Sequence, residues 1–379
     1  MSKTHPVVLQ VIPHLGAGGA EQGCIDVAAE LVRAGATSIV VSNGGHRVPE
    51  LTRAGSVHIE LPVHSKNPFV MWRNTHRLKK IIEKNKVDIV HARSRAPAWS
   101  ALEACKSTSA HYMTTCHAPY NIHDKKLKRF YNSSISRGER VIAISEYVAD
   151  YLRENYGLDD SKIRLIHRGI APEKFHPSLV TAERMIKLSK NWRIPDGATV
   201  ILLPGRLTRW KGHTLLIEAM TKLDRKDLFC VFVGADQGRS EYHAELEKLI
   251  ADKGLNEQIR IMGHCDDMSA AYMISTIIVS ASLEPEGFGR VAVEGQAMGR
   301  IVIATDHGGS KETIIQGETG FLVPINDADA LADKIKYALA MPEEEKYQMA
   351  ERAMHHVHEN FTREIMVDKT LSVYAELLS

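Results

Sequence analysis

Residues 276–299 read TIIVSASLEPEGFGRVAVEGQAMG and contain, in succession, a strand, a glycine-rich loop and a helix. The β-branched run TIIVSAS predicts the strand, EPEGFG predicts the loop, and RVAVEGQAM predicts a helix that ends at Gly299. Glu286 lies in the loop, and Glu294 falls about one and a half turns into the helix. Carboxylates only accept hydrogen bonds, so two of them facing a cleft suit a polyhydroxyl ligand beside a phosphate. A helix start offers N–H groups to that phosphate.

The same strand-and-helix alternation extends in both directions from this segment. Strand-like runs before it are PVVLQVI, ATSIVVS, VDIVHA, YMTTC, RVIAIS, IRLIHR, ATVILLPGR, DLFCVFVGA and QIRIMG, and those after it are RIVIATD and GFLVPI. Residues 169–198 interrupt the pattern with three prolines and no strand. Alternation of this kind predicts parallel sheets built from βαβ units. We therefore predict an α/β fold with two Rossmann-like, doubly wound domains, 1–170 and 171–355, facing across a cleft, and a helical segment 356–379 that packs back on the first.

Composition excludes several protein classes. The 379 residues are 44% hydrophobic and 25% charged, with 48 basic and 46 acidic side chains, which is typical of a globular protein and not of a general nucleic-acid binder. Five cysteines without a CxxC pair favour a reducing compartment and no zinc site. The apolar run before Pro13 is too short for a signal sequence, and no later run reaches membrane-spanning length. We expect a cytoplasmic protein.

A glycine-rich turn, HLGAGGAEQG, follows the first strand. Such turns bring backbone N–H groups and the positive end of a helix close to an anion. Gly16 and Gly18 fit a dinucleotide fingerprint, but its third glycine position is Glu21 and the second strand ends at Asn43 instead of an acidic residue. NAD binding is therefore disfavoured. The turn either approaches a phosphate or only packs strand on helix, and the sequence leaves both open.

Two more strand-to-helix junctions carry candidate ligand groups. In PGRLTRWKG, Arg206 and Lys211 stand five residues apart and form a plausible clamp for a diphosphate. In TDHGGSKETI, Gly308 and Gly309 form a second glycine turn able to line the same cleft. Surface arginines and lysines are usually solvated, so the prediction of a diphosphate clamp depends on the other motifs that line the same cleft.

The order of these motifs resembles the retaining GT-B glycosyltransferases of family 4. The shared motifs are GGAE, then His117, then GRL…KG, then EGFG…E and finally TDHGG…E, and the similarity runs over essentially the whole chain. The segment 200–325 is the most specific part. Two positions depart from the family pattern, since Ala118 follows His117 and residues 167–170 read HRGI where many members have an Asn-Gly pair.

This resemblance implies roles for individual residues. Nucleotide-binding backbone at 263–267 would face the base, and the second glutamate would bind the ribose. The residues implied to be catalytic are His117, Arg206, Lys211 and Glu286; those implied to bind the donor are Gly18, Gly19, Arg206, Lys211, Gly287, Phe288, Gly289 and Glu294. Retention would proceed by front-face substitution, with the leaving phosphate taking the acceptor proton.

A metal and other cofactors are not expected. Asp327-Ala328-Asp329 imitates a metal-binding DxD motif but opens the helical pattern DADALADKIKYAL, so helix capping explains it. His355, His356 and His358 are interpreted as a solvated helix face.

Two basic, aromatic stretches suggest the acceptor. NPFVMWRNTHRLKKIIEKNK and HDKKLKRFYNSSISRGER mix lysines and arginines with aromatic rings, which suits an anionic membrane surface or a phosphorylated glycolipid. A solvated helix face explains them equally well. Arg93 and Arg95 are candidates for further charge on the acceptor side. Our hypothesis is transfer to a lipid-linked or lipopolysaccharide-type glycan at the inner face of a membrane.

Other functions remain open at this stage. A nucleotide-sugar epimerase or a phosphorylase has the same architecture, although a cofactor lysine for a phosphorylase is not identifiable. A protein that binds sugar nucleotides without turnover is the alternative from another class. An intact set of Arg206, Lys211, Glu286 and Glu294 favours an active transferase.

Overall fold

The computed structural model describes residues 5–16, 18–120, 126–236, 238 and 240–379. Its strands are β1 (Val7–Val11), β2 (Thr37–Ser42), β3 (Val57–Glu60), β4 (Ile89–Ala92), β5 (His111–Cys116), β6 (Arg140–Ala143), β7 (Ile163–Leu165), β8 (Thr199–Pro204), β9 (Leu228–Val233), β10 (Ile259–Met262), β11 (Ile277–Ser280), β12 (Ile301–Thr305) and β13 (Phe321–Val323).

Helices connect these strands. They are α1 (Gly19–Arg33), α2 (Val48–Arg53), α3 (Pro68–Asn85), α4 (Arg95–Cys105), α5 (Lys126–Asn132), α6 (Glu146–Tyr156), α7 (Ala182–Trp192), α8 (His213–Leu223), α9 (Ser240–Asp252), α10 (Met268–Met273), α11 (Arg290–Ala297), α12 (Ser310–Thr313), α13 (Ala328–Ala340), α14 (Glu343–Asn360) and α15 (Arg363–Leu378). Short 3₁₀ turns cover Ser133–Ser136, Pro177–Leu179 and Arg209–Lys211.

The chain divides into two compact units. Unit 1 comprises residues 1–169 together with 363–379, and unit 2 comprises residues 170–362. Unit 1 contains a parallel seven-stranded sheet in the order β3-β2-β1-β4-β5-β6-β7, and unit 2 a parallel six-stranded sheet in the order β10-β9-β8-β11-β12-β13. Each order reverses direction beside its first strand, which is the doubly wound topology. The predicted fold of two Rossmann-like domains is confirmed.

Alternation along the strands builds two cores on the sheet of unit 1. Val11 and Ala92 belong to the core on one face, and Val8 and Met113 belong to the core on the other face together with residues of α1 and α15. Because successive strand side chains point to opposite faces, Gln10 shares its face with Val8. Polar residues at the carboxyl ends of these strands are thereby placed against α1 and α15.

The C-terminal helix completes unit 1. Tyr374 is 3% exposed and packs in the same core as Met113, while the Glu376 carboxylate pairs with Arg140 at 2.6 Å and also with Arg164. Helix α14 stays with unit 2, so the chain returns to unit 1 at Arg363.

One strand was missed by sequence reasoning. Residues 57–60, VHIE, form the edge strand β3 beside β2, with side chains that are only half-buried or exposed. An edge strand needs no long apolar run, which is why the pattern did not reveal it. No helix in the described part of the chain combines the length and apolar character needed to cross a membrane.

Candidate active site

The centre of the site in unit 2 is a buried ion pair between Lys211 and Glu286. Lys211 Nζ lies 2.6 Å from Glu286 Oε1, and each side chain is only 11% exposed. Ser282 Oγ donates to the same carboxylate oxygen at 2.5 Å. The Lys211 ammonium also lies 4.4 Å from the centroid of the Trp210 ring, a cation–π contact. Two of the four residues predicted to be catalytic are thus in direct contact.

Glu286 stays ionised in this setting. Burial alone raises the pKa of the carboxyl, but the Lys211 charge and the hydrogen bonds from Lys211 and Ser282 outweigh burial and hold it below its usual range. All of these bonds reach Oε1. Oε2 has no hydrogen bond to any described residue, so one oxygen of a charged carboxylate remains for a ligand hydroxyl.

Close backbone contacts explain the glycines around this pair. Gly308 has φ +55°, and a Cβ there would lie 2.6 Å from the backbone oxygen of Glu286. A Cβ on Gly309 would lie 2.4 Å from the Cα of Phe288. The Gly309 N–H donates to the Glu286 carbonyl at 2.9 Å. The TDHGG turn therefore supports the EGFG loop directly, and only glycine allows that approach.

The EGFG loop leads straight into α11. Gly289 precedes the helix with φ +88°, a left-handed conformation that favours glycine. Gly287 is half-buried, whereas the Phe288 ring is buried against Phe361 with ring centroids 5.5 Å apart. The Phe288 ring therefore anchors the loop, and the donor contact predicted for Phe288 is open only to its backbone.

Glu294 is the fifth residue of α11 and is 7% exposed. Tyr272 Oη donates to Oε2 at 2.8 Å, and Arg290 Nη2 donates to Oε1 at 2.5 Å. Burial and the Glu294 charge raise the pKa of Tyr272 well above its ordinary value, so the phenol remains a donor. Each carboxylate oxygen keeps a second lone pair that can accept another hydrogen bond.

Arg206 differs from Lys211 because it is exposed. It lies just past β8, and its side chain makes no ion pair with any described residue. The Trp210 carbonyl accepts a 2.6 Å hydrogen bond from the Leu283 N–H, which joins the RWKG turn to the loop after β11. Arg206 and Lys211 thus belong to the same segment, but of the two side chains only that of Lys211 is held by an ion pair to a described residue.

In unit 1 the glycine-rich turn precedes α1. Gly18 has extended backbone and no side-chain cap, Gly19 begins the helix, and the Glu21 carboxylate folds back over Gly18. Ala17, inside the predicted motif, lies outside the described residues. The start of α1 therefore offers backbone N–H groups beside the Glu21 carboxylate, and its approach to a phosphate stays a prediction.

His117 stands one residue past β5 beside two arginines. Burial lowers its pKa well below the ordinary value, and the charges of Arg168 and Arg93 lower it further, so the imidazole is neutral. Its Nε2 is buried without a hydrogen-bond partner among the described residues. Arg168 is 7% exposed and donates to the Gly19 carbonyl at the start of α1. We call Arg93, His117 and Arg168 the unit 1 cluster.

A network of buried polar side chains contacts Arg93 of the unit 1 cluster and extends to α1 and α15. Arg93 Nε donates to Gln10 Oε1 at 2.5 Å, and Gln10 Nε2 donates to the Cys24 carbonyl in α1 at 3.1 Å. His91 Nδ1 and Tyr374 Oη are 2.7 Å apart. The C-terminal helix therefore contributes to the scaffold of this cluster.

Arg95 and the predicted acceptor stretches lie at another surface of unit 1. Arg95 donates to Asn132 at 3.0 Å and stacks over the Tyr120 ring. The exposed fractions are 63% for Phe69, 58% for Trp72, 85% for Leu127 and 60% for Phe130, and we call these three rings together with Leu127 the aromatic face. They flank α4, where Trp99 stacks on Phe130 and Ser100 bonds the Met71 carbonyl. The first part of the second stretch, 123–125, lies outside the described residues.

The DxD-like motif and the histidine cluster of the sequence can now be compared with their local contacts. Asp327 accepts a hydrogen bond from the Ala330 N–H at 2.9 Å, which confirms helix capping. His355 and His358 are exposed and His356 is half-buried on α14. Within the described ranges, no three His, Cys, Asp or Glu side chains are grouped to hold a metal ion.

Sequence reasoning missed the partners of the predicted residues. Arg290 precedes Glu294 by four residues, a spacing that places both on one side of a helix. The sequence alone could therefore have indicated this pair. Ser282 is also only four residues from Glu286, but it lies in a loop, where spacing does not fix which side chains meet. Tyr272 and Arg168 carried no such signal, because each meets its partner through the tertiary fold.

Family models and solved structures resemble this chain over most of its length. Residues 17–174 match the family model described as Glycosyltransferase Family 4, and residues 185–356 match that described as Glycosyl transferases group 1. A glycosyltransferase from Rickettsia africae ESF-5 is 42% identical, with a TM-score of 0.93 over 100% of both chains. Anabaena Alr3699/HepE, solved in complex with UDP and glucose, has a TM-score of 0.84 over 98% of this chain and 100% of that one, and its 20% identity shows the fold alone.

Among sequence relatives, a D-inositol 3-phosphate glycosyltransferase of Streptomyces bingchenggensis (strain BCW-1) is 30% identical over 64% of this chain. The match covers 54% of that relative, so the chain spans about half of its length.

Proposed function

The chain belongs to the family 4, or group 1, glycosyltransferases with two Rossmann-like domains, and on that premise we propose that it moves a sugar from a nucleotide diphosphate to an acceptor hydroxyl with retention of anomeric configuration. The observation that supports this best is the Lys211–Glu286 pair. It sets a cation for phosphate and a carboxylate oxygen for a sugar hydroxyl side by side at glycine loops.

The proposed roles follow from charge. Arg206 and Lys211 stabilise the charge that develops on the leaving diphosphate, since groups already fixed in place need no reorganisation during reaction. Glu286 accepts sugar hydroxyls through Oε2, and Glu294 accepts from the ribose. His117, kept neutral by burial and by two arginines, lies by the sugar.

Retention is proposed to occur by front-face substitution. The bond from the anomeric carbon to the leaving phosphate oxygen breaks as the acceptor oxygen adds to the same face, and the leaving phosphate takes the acceptor proton. Glu286 binds Lys211 and Ser282 and serves hydroxyl binding in this scheme, so it is not the nucleophile of a double displacement. The two cations supply the charge stabilisation that a metal provides in other transferases, and we predict metal-independent turnover.

For the acceptor, we propose a lipid-linked or lipopolysaccharide-type glycan at an anionic membrane surface. Support comes from the aromatic face, where rings stand exposed beside basic residues such as Arg73 and Arg137. Co-sedimentation with anionic vesicles at low salt is the test. Phe69→Ser with Trp72→Ser should reduce the bound fraction, whereas Tyr347→Ser, a change at another exposed ring, should not. Equal loss in both variants, or no binding by the unmodified protein, contradicts membrane attachment.

Thermal unfolding with nucleotides tests the donor site. UDP comes first because the structurally similar HepE was solved with UDP, followed by GDP, ADP, CMP and NAD, each with EDTA and with magnesium. A ligand at one hundred times its Kd stabilises the protein by about 2.7 kcal/mol. We expect one diphosphate nucleotide to raise the Tm regardless of EDTA, and Arg206→Ala to abolish the rise.

A matched control is Lys222→Ala. Lys222 is exposed and pairs with Asp329 at 2.6 Å, so its removal changes net charge equally without touching the site. A Tm rise with NAD alone, or an equal loss in both variants, would overturn the donor site.

A further inference from the structure

The TDHGG turn carries a buried histidine whose hydrogen bonds lead to Glu286. His307 lies two residues past β12 and is 8% exposed. Its Nε2 is 2.7 Å from the carbonyl oxygen of Ser282, which lies in the loop after β11. Because β11 and β12 pair in parallel, with Ser280 level with Ala304, the two loops leave the sheet side by side. Strand pairing therefore brings His307 against the loop that carries Glu286.

The Ser282 carbonyl fixes the tautomer of His307. A carbonyl oxygen only accepts hydrogen bonds, so Nε2 carries the hydrogen and Nδ1 of the neutral ring is left as an acceptor. Nδ1 is buried and has no hydrogen-bond partner among the described residues, so within them the ring bonds only through Nε2. Burial lowers the pKa of His307, although the Ser282 bond and the charges of Glu286 and Asp306 act in the opposite direction. The ring is therefore a neutral donor to Ser282.

Ser282 connects this bond to the carboxylate of Glu286. Its carbonyl oxygen also accepts a hydrogen bond from Thr305 Oγ1 at 2.8 Å, so two donors from the end of β12 hold the same oxygen. Its hydroxyl donates to Glu286 Oε1 at 2.5 Å, and the Lys211 ammonium reaches that oxygen at 2.6 Å. A backbone held from two sides keeps the hydroxyl in place, and the hydroxyl in turn holds one oxygen of the carboxylate.

We propose that His307 is a positioning residue that acts on Glu286 through Ser282. With the Ser282 hydroxyl in place, Oε1 stays with its donors in the protein, and Oε2 keeps one orientation toward a hydroxyl of the transferred sugar. Without the His307 bond the loop gains freedom, and ordering the carboxylate again costs affinity for the sugar. This inference rests on the proposed transferase function and adds a residue to its sugar site.

A role for His307 in packing alone predicts the opposite order of two variants. Methionine and glutamine have similar lengths, but only glutamine has a side-chain N–H that can donate to the Ser282 carbonyl. If His307 only fills space, His307→Met is tolerated and His307→Gln, which buries an amide, is the more disruptive change. If the Nε2–H bond is what matters, His307→Gln keeps sugar binding and His307→Met loses it.

The experiment is a thermal-unfolding titration of the full-length protein with UDP, GDP and ADP and with UDP-glucose, UDP-galactose, GDP-mannose and ADP-glucose. The quantity compared is the Kd of the tightest-binding sugar nucleotide divided by the Kd of its own nucleotide. We expect His307→Met to raise this ratio about tenfold, the scale of one oriented hydrogen bond, and to leave the Kd of the nucleotide within about twofold. In His307→Gln the ratio should stay at the value of the unmodified protein.

A double-mutant cycle tests the route through Ser282. Ser282→Ala removes the hydroxyl and keeps the carbonyl, so it should raise the same ratio, and adding His307→Met should raise it no further. Additive effects of the two changes would overturn the inference while the transferase proposal stands. The same holds if the ratio is equal in His307→Met, His307→Gln and the unmodified protein, or if both variants lose nucleotide binding equally. If no nucleotide or sugar nucleotide raises the Tm of the unmodified protein, the proposed donor site fails and the inference fails with it.

Discussion

Each unit holds a buried positive charge near the carboxyl ends of its strands, but the two charges are treated differently. In unit 2, Lys211 is 2.6 Å from the Glu286 carboxylate, which also receives Ser282. In unit 1, the Arg93 side chain hydrogen-bonds the neutral side chains of Gln10 and Tyr374, and its Nη2 is buried without a hydrogen-bond partner among the described residues. The difference is that a carboxylate of the same unit balances the unit 2 charge, whereas neutral side chains hold the unit 1 charge.

Breaking the Lys211–Glu286 pair should have the largest effect. Lys211→Ala leaves a buried carboxylate without its cation, which costs about 3 kcal/mol of unfolding free energy. It also removes a stabiliser of the leaving group, so kcat should fall on the order of a hundredfold. Urea unfolding and steady-state kinetics measure the two effects.

A double variant provides the control for that prediction. Lys211→Met combined with Glu286→Leu replaces the pair with apolar groups, so stability should recover while kcat stays at or below that of Lys211→Ala. If the double variant is as unstable as Lys211→Ala, packing and not charge explains the loss.

Removing the Tyr374 hydroxyl should have an intermediate effect. Tyr374→Phe leaves His91 Nδ1 buried without a partner, which costs about 1–3 kcal/mol. Burial already raises the pKa of Tyr374 to about 12, so the group removed is a neutral phenol. Urea unfolding gives the cost, and Tyr337→Phe, at a ring that is 52% exposed, should give none. Similar values for both changes would mean that α15 does not support the unit 1 cluster through this bond.

The smallest effect is expected at Glu376, a partly exposed carboxylate that is paired with Arg140 and Arg164. Hydrogen bonds from Arg164, then Arg140, lower its pKa to about 2, against about 4.3 in an unfolded chain. A depressed pKa contributes stability that is full above the unfolded value and disappears as pH falls toward the folded one. With the side chain 32% exposed, we expect Glu376→Gln to cost about 1 kcal/mol at neutral pH.

The pH dependence of that cost is its test. Tm values of both proteins should converge as pH falls from about 5 to about 2, because protonated glutamate and glutamine are then equivalent partners. A difference that is constant over this range would assign the effect to packing.

Local pattern was sufficient for much of this protein. Strand and helix alternation predicted both sheets, and glycine turns marked the loops that support Glu286. The missed strand β3 is short, lies at a sheet edge and has exposed positions, so it lacks the apolar run that identifies buried parallel strands. Asp327 could be assigned as a cap because its partner is three residues away.

By itself, then, the sequence determined the two-domain α/β architecture and the positions of the charged motifs, since both depend on spacing between near neighbours. The tertiary structure decided which charges are paired. Lys211 meets Glu286 across 75 residues, Arg168 meets the start of α1 across 149, and Tyr374 meets His91 across 283. Burial and charge balance depend on such distant contacts, and no local pattern encodes them. That is why Arg93, predicted only as a charge on the acceptor side, could be recognised as a buried cation beside Gln10 and Tyr374 in the folded chain alone.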